Sequence, residues 1–150
     1  MSYKKIFVPV DSSQAALLAL KEAVRLAKLS GGLICLVHVI DFAQPDWGTA
    51  ANVQTRGNLK SIAKEIADNI FAPLREILVA EHIPYEEIVL ETLGDTVANI
   101  LSVEAEKQAC DVIVMGTHGR SGMMGLLMGS VAEGVLKKTR IPLMMIRPAE

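Results

Sequence analysis

The segment IFVPVDSSQAALLALKEAVRLAKLSGGLICLVHVID (residues 6–41) contains two short apolar runs on either side of a longer amphipathic stretch. The runs at 6–10 and 33–40 are almost free of polar residues, a pattern typical of strands buried on both faces of a sheet. Between them, Ser12-Ser13 offers N-caps for a helix, and Gly31-Gly32 ends that helix. A strand, a helix and a second strand in this order predict two parallel strands joined by a helical crossover.

The same alternation continues to the end of the chain. A second helix has an apolar stripe from Leu59 to Leu78 and contains Pro73, which predicts a kink or a break. A third helix is expected to begin with Asp95 as its cap. The remaining three strands and the last helix are predicted at Ile88–Leu90, Asp111–Met115, Leu143–Ile146 and Ser130–Thr139. This order predicts one α/β domain over residues 1–150, an open five-stranded parallel sheet with helices on both faces.

Composition excludes several classes of protein. Apolar residues make up 51% of the 150 residues, yet the longest apolar run is far shorter than the roughly 20 residues that span a membrane. The first apolar run stops at Asp11, too early for a secretory signal. A net charge of −2 and an aromatic content of 4% favour neither a basic surface nor a stacking platform for nucleic acid. Cys35 and Cys110 lie in separate strand-like segments and are predicted to be buried, unpaired thiols of a cytoplasmic protein.

Glycines recur where the fourth strand ends and where the last helix begins. Gly116 and Gly119 follow the strand, and Gly129 precedes Ser130. Ligands of open α/β sheets bind at the carboxyl ends of strands, and a helix N-terminus offers unpaired N–H groups to a phosphate. Glycine lets the backbone come close to such a ligand, and Arg120 adds a positive charge. These residues predict a phosphate site.

Two alternatives remain open for this segment. Ser130 and Glu133 form an S-x-x-E capping box, which would use the serine hydroxyl on its own helix. The glycines could also mark only a flexible loop. Neither of the better-known phosphate motifs, G-x-x-x-x-G-K-S/T or G-x-G-x-x-G after the first strand, is present.

Asp11 also has two interpretations. At the end of the first strand it could bind a nucleoside or help to hold a magnesium ion, or it could cap the first helix. The three histidines, His38, His82 and His118, lie in separate segments, with no cysteine or acid at metal-ligand spacing. His38 is expected to be a partly buried strand residue. His118 could approach a phosphate or face solvent.

Three motifs together resemble the universal stress protein family. They are Val8-Pro9-Val10-Asp11, His38-Val39-Ile40-Asp41, and G-x2-G-x9-G-S/T filled by Gly116, Gly119, Gly129 and Ser130. The glycine motif is that of the ATP-binding type of the family and is complete here. The chain departs from the family at Ser12, where Gly or Phe is common.

The resemblance implies the strand order 3-2-1-4-5 of a Rossmann-like, adenine nucleotide alpha hydrolase-like fold. It also implies that ATP binds, and the magnesium ion of the ATP is the one that Asp11 could help to hold. The adenosine end would lie against Pro9, Val10, Asp11 and Val39, with Met115 and Gly116 near the ribose and the first phosphate. The remaining phosphates would lie among Gly119, Arg120, Gly129, Ser130 and Val131.

No catalytic set is evident in the predicted cleft. The chain is therefore predicted to be a regulatory stress-response protein in which ATP occupancy modulates a dimer or an unknown protein partner. A weak ATPase or autophosphorylating enzyme, and an interaction module without nucleotide, remain alternatives. Prolines flank the last strand, which suits a sheet edge. An apolar edge needs covering, so a homodimer is expected through Leu143, Met144, Met145 and Ile146.

Overall fold

Strands and helices alternate along the chain in the predicted order. The computed structural model describes residues 2–43, 56–118 and 128–148, and for residues 56–59 it describes the backbone alone. The strands are β1 (Lys5–Pro9), β2 (Leu33–Asp41), β3 (Tyr85–Thr92), β4 (Val112–Gly116) and β5 (Leu143–Ile146). The helices are α1 (Gln14–Ser30), α2 (Arg56–Ala80), α3 (Val97–Lys107) and α4 (Ser130–Lys138).

The five strands form one parallel sheet in the order β3-β2-β1-β4-β5. β1 lies at the centre, where Phe7 pairs with Cys35 of β2 on one side and with Ile113 of β4 on the other. The predicted strand order is confirmed. Chain direction across the sheet therefore reverses between β1 and β4, the position at which open α/β sheets bind ligands.

Helices cover both faces of the sheet, as predicted. Alternate strand residues such as Ile6, Val8 and Leu36 pack with α1 and α2. Their neighbours, such as Phe7 and Val37, pack with α3 and α4. This alternation follows from the period of two in a strand, and it explains why the strands are apolar throughout.

Helix α1 shows how local sequence fixes the start and end of an element. Ser13 is its N-cap, with Oγ accepting from the Ala16 N–H at 3.1 Å. Gly31 ends the helix in the left-handed region at φ 66°, where its N–H donates to the Ala27 carbonyl at 2.8 Å. Both features match the predicted boundaries, because serine and glycine are the residue types that these positions favour.

Two predictions about element bounds were wrong, those for β3 and for the cap of α3. The predicted kink or break at Pro73 is not a break, because α2 continues through this residue and one missing hydrogen bond is offset by buried neighbours such as Phe71. β3 is longer than the predicted Ile88–Leu90. Exposed residues on both sides of this apolar stretch interrupt the apolar pattern, so the pattern does not reach the ends of the strand. Thr96, not Asp95, caps α3, and its Oγ1 accepts from the Asn99 N–H at 3.1 Å.

Both cysteines are buried and free, as predicted. Cys110, however, lies in the turn between α3 and β4, outside the strand to which the sequence pattern assigned it. Among the described residues, no helix is long and apolar enough to cross a membrane.

Candidate functional site

A cavity of about 610 Å³ opens where the carboxyl ends of β1, β2 and β4 meet the beginning of α4. This volume is in the range of small-molecule sites in proteins. Every predicted site residue that the structure describes lines it: Pro9, Val10, Asp11, Val39, Met115, Gly116, Gly129, Ser130 and Val131. Gly119 and Arg120 lie outside the described residues.

Backbone hydrogen bonds connect the end of β4 with the beginning of α4 and with β5. The N–H of Gly129 donates to the carbonyl of Thr117 at 2.6 Å, and the N–H of Thr117 donates to the carbonyl of Ile146 at 3.0 Å. These bonds fix the beginning of α4 beside the end of β4. Both ends of the glycine motif therefore lie on one side of the cavity.

The N-cap of α4 is Gly129, which has no side chain to bond the first turn. Ser130 is the first helical residue and is exposed. The alternative in which Ser130 caps the helix is therefore wrong, because the capping position falls one residue earlier. The first-turn N–H groups of a helix have no intrahelical partner, and here Ser130, Val131 and Ala132 line the cavity. This end of α4 can therefore bind an anion.

Gly116 is required for a reason that the sequence alone did not indicate. A Cβ at this position would lie 2.6 Å from the Cβ of Ala15 and 3.1 Å from its carbonyl carbon. Real Cβ atoms do not approach so closely, so α1 can pack against the end of β4 only if this residue is glycine. In this structure, glycine at position 116 permits the close approach of α1 to the end of β4.

Asp11 shapes the turn between β1 and α1 without capping the helix. Its Oδ1 accepts from the N–H of Ser13 at 2.8 Å, and Ser13 itself is the cap. The interpretation of Asp11 as the helix cap is therefore wrong. Asp11 also lines the cavity, at the end of the strand that neighbours β4.

Sequence analysis missed several residues of the cavity. Asp41 lies two residues beyond Val39 on β2, and Val97 and Leu101 come from α3. The period of two along β2 could have identified Asp41, because residues 37, 39 and 41 share a face. The α3 residues could not be assigned without knowing how that helix packs on the sheet.

His38 also lines the cavity, and it is held by the backbone that follows β1. Its Nδ1 lies 2.7 Å from the Val10 carbonyl oxygen. A carbonyl only accepts, so Nδ1 carries the proton and donates it. Burial lowers the pKa of His38, while this bond and the nearby Asp11 raise it to a smaller extent. The ring is consequently neutral at physiological pH, with Nε2 left as an acceptor.

The lowered pKa of His38 predicts a pH-dependent stability. Unfolded chains take up a proton at the ordinary histidine pKa of 6.5, whereas folded His38 does so only at lower pH. Between these two values the unfolded state binds more protons, so the free energy of unfolding falls as pH falls. We expect His38→Asn to reduce this slope, because asparagine keeps a donor for Val10 and does not titrate.

Urea unfolding of both proteins between about pH 7.5 and pH 5 measures this slope. The same substitution at the exposed His82 is the control. Equal slopes in the parent and His38→Asn would contradict the prediction.

The charge of the cavity is set by a few groups. Asp11 and Asp41 contribute carboxylates, and no described lining residue is lysine or arginine. Among residues 2–43, 60–118 and 128–148, no group of three or more His, Cys, Asp or Glu side chains could hold a metal ion. Within this part of the chain, the beginning of α4 is therefore the main source of positive potential for a bound anion.

Comparison with known proteins identifies the family. A family model, described as the universal stress protein family, matches residues 2–147. The chain belongs to this family. Universal stress protein MJ0531 of Methanocaldococcus jannaschii is 32% identical to it over 145 residues, which cover 97% of this chain and 82% of that protein.

Solved structures of universal stress proteins share the fold. MJ0577 of Methanocaldococcus jannaschii superposes with a TM-score of 0.82 at 28% identity, covering 100% of this chain and 99% of that chain. A universal stress protein from Archaeoglobus fulgidus, solved in complex with dAMP, has a TM-score of 0.68 at 24% identity. That alignment covers 97% of this chain and 99% of the other. The likeness thus extends over the whole sheet, including the strand ends that form the cavity.

Proposed function

We propose that this universal stress protein binds ATP in the cavity and acts as a regulatory protein. Nucleotide occupancy would change its affinity for a second copy or for another protein. The observation that carries the proposal is the junction of an apolar cleft with the beginning of α4. The cleft suits a base, and the N–H groups at the beginning of α4 suit phosphates.

The lining residues suggest how the nucleotide lies. Pro9, Val39, Val97 and Leu101 are apolar lining residues, and the adenine ring would lie against them. The carboxylate of Asp11 can accept hydrogen bonds from ribose hydroxyls. The phosphates would extend past Gly116 to Gly129, Ser130 and Val131, with Gly119 and Arg120 completing the site by family resemblance. The dAMP complex of the Archaeoglobus fulgidus protein supports an adenine nucleotide.

Magnesium would arrive with the phosphates. The described residues of the cavity offer two carboxylates and no larger cluster of ligands. Mg²⁺ is commonly bound through one or two carboxylates together with substrate phosphates, and Asp11 fits that role. We therefore propose that Asp11 supports the ion only when ATP is bound.

Titration calorimetry with ATP and AMP tests the proposal. We expect ATP to bind about tenfold more tightly than AMP, because only ATP extends its full phosphate chain to the beginning of α4. The site would be rejected if neither ATP nor AMP produced heat on titration and neither competed with the other for binding. Sustained release of ADP during the titration would instead favour the ATPase alternative.

We also propose that the regulated assembly is a homodimer through β5. β5 pairs with β4 on one side, and no described strand pairs with its other edge. Met144 on this strand is 37% exposed. The opposite edge, β3, has the exposed Glu86, Glu87 and Glu91, charges that discourage pairing with another chain.

Met144→Asp should convert such a dimer into a monomer, because the symmetric contact would bring two carboxylates together. Sedimentation velocity of the parent and of Met144→Asp measures this. A parent that is monomeric with and without ATP would reject the dimer.

A further inference from the structure

Helices α3 and α4 meet at Ala98 and Gly134 with no room for a further atom. A Cβ added at Gly134 would lie 2.5 Å from the Cβ of Ala98, whereas real Cβ atoms essentially never come closer than 3.0 Å to such a neighbour. The methyl group of Ala98 is attached directly to the helix backbone and has no rotamer by which it could turn away. A side chain at position 134 would therefore force one helix to shift relative to the other.

Each of the two helices forms one wall of the cavity. Val97 and Leu101, on either side of the contact residue of α3, line the cavity from that helix. Ser130 and Val131 line it from the first turn of α4, about one turn before the contact. In the proposed nucleotide site, the α3 pair lies against the base and the α4 pair against the phosphates. The contact between the helices therefore sets the distance between these two parts of the site.

Side-chain hydrogen bonds hold the beginning of α3 in place. Oγ1 of the cap residue Thr96 accepts from the N–H of Asn99 at 3.1 Å, and Oδ2 of Asp95 accepts from Nδ2 of Asn99 at 2.7 Å. The buried Thr92, at the end of β3, donates from Oγ1 to the carbonyl of Asp95 at 3.1 Å. These bonds attach the beginning of α3 to the sheet, so α3 resists a push from α4.

The beginning of α4 has no such side-chain cap. Its N-cap is Gly129, and its attachment to the end of β4 is the backbone bond from the Gly129 N–H to the carbonyl of Thr117. Val135, the residue after Gly134, is fully buried in the core beneath the helix, so α4 cannot move toward the sheet. We therefore expect a push at position 134 to displace α4, and with it the N–H groups of its first turn, away from α3.

We propose that Gly134 is a positioning residue of the nucleotide site, because it lets α4 present its first-turn N–H groups at the distance from the base that a triphosphate needs. This inference rests on the proposed binding of ATP. Gly134 does not line the cavity, so it acts through the place of the helix and not through contact with the ligand. Hydrogen bonds weaken steeply as their geometry departs from the ideal, so a displaced α4 would bind phosphates poorly.

Gly134→Ala tests this role, because it adds the one atom that collides. We expect the affinity for ATP to fall about tenfold and that for AMP to change by less than about twofold, because AMP carries only the phosphate nearest the ribose. The preference for ATP over AMP would then be lost. A variant that is only less stable would lower both apparent affinities by the same factor and keep their ratio. Calorimetry with both nucleotides measures this ratio.

Ala98→Gly supplies the rescue, since it removes the methyl group with which the new Cβ collides. Combined with Gly134→Ala, it should restore the preference for ATP to the parent value. Leu136→Ala is the control for a change on α4 that leaves the contact with α3 intact, because the Leu136 side chain is exposed. We expect this control to keep the parent ratio.

Thermal unfolding adds a measurement that needs no nucleotide. Alanine is a better helix former than glycine, so Gly134→Ala should raise the stability of the protein unless the collision opposes it. A Gly134→Ala variant that is more stable than the parent, or one that keeps the parent ratio, would overturn the positioning role and leave the proposed function standing. A parent that binds neither nucleotide would overturn both. If Gly134→Ala does not fold, the combined variant decides, because it must fold and prefer ATP as the parent does.

Discussion

Gly129→Asp is expected to weaken ATP binding by at least about 100-fold, a loss of about 2.7 kcal/mol, without destabilising the fold. Gly129 is the N-cap of α4 at φ −74° and ψ 166°, a conformation that aspartate adopts without strain. An aspartate at an N-cap accepts hydrogen bonds from the first-turn N–H groups. It would therefore occupy the donors that ATP needs and place a negative charge where the phosphates would lie.

The matched control is Gly129→Asn. Asparagine has nearly the same shape and is an equally good cap, but it carries no charge. We expect it to weaken ATP binding about tenfold, through competition for the same N–H groups alone. Calorimetry with ATP measures both variants, and thermal unfolding checks that each is at least as stable as the parent. Unchanged affinity in Gly129→Asp would remove α4 from the phosphate site.

The sequence predicted the fold because its local signals agree with one another. Ser13 and Gly31 define the two ends of α1, and the apolar runs at 33–40 and 112–115 have the length and composition of fully buried strands. The strand order itself came from family resemblance, since periodicity does not say which strands are neighbours. Where signals were weak, as along the exposed edge strand β3, the predicted bounds were too short.

The cavity was predicted from residues that follow strands directly. Asp11 follows β1 and Gly116 ends the neighbouring parallel strand β4, and the carboxyl ends of such strands meet at one edge of the sheet. Val97 and Leu101 were missed because their part depends on how α3 packs on the sheet. His38 was correctly placed in a strand, but its bond to Val10 joins β2 to the residue that follows β1, and neither segment has a sequence signal for such a bond.

Tertiary packing also decided two features that the sequence did not indicate. Cys110 was placed in a strand, although it lies in the turn between α3 and β4. Gly116 was predicted as a ligand-binding residue, and its close packing against Ala15, which is 101 residues away in the sequence, is a second requirement for glycine at this position. Contacts of such long range are set by the assembled core and leave no local pattern.

Gly116→Ala is expected to lower the free energy of unfolding by about 1–3 kcal/mol, the usual effect of overpacking a close contact. The new Cβ would lie 2.6 Å from the Cβ of Ala15, and the nearby backbone of α1 at 3.1 Å cannot rotate away as a side chain would. α1 must therefore shift relative to β4. Urea unfolding measures the change, at a pH at which His38 stays neutral.

The second variant, Ala15→Gly, removes the atom with which the new Cβ collides. Alone it should cost up to about 1 kcal/mol, because glycine is a poor helix former. In the double variant, Gly116→Ala and Ala15→Gly should cost less together than the sum of the two single changes. Additive costs would mean that the collision is not what requires glycine at position 116. If the double variant regains stability but binds ATP more weakly than the parent, the Cβ at position 116 also obstructs the nucleotide. Glycine at this position then serves both the packing of α1 and the nucleotide site.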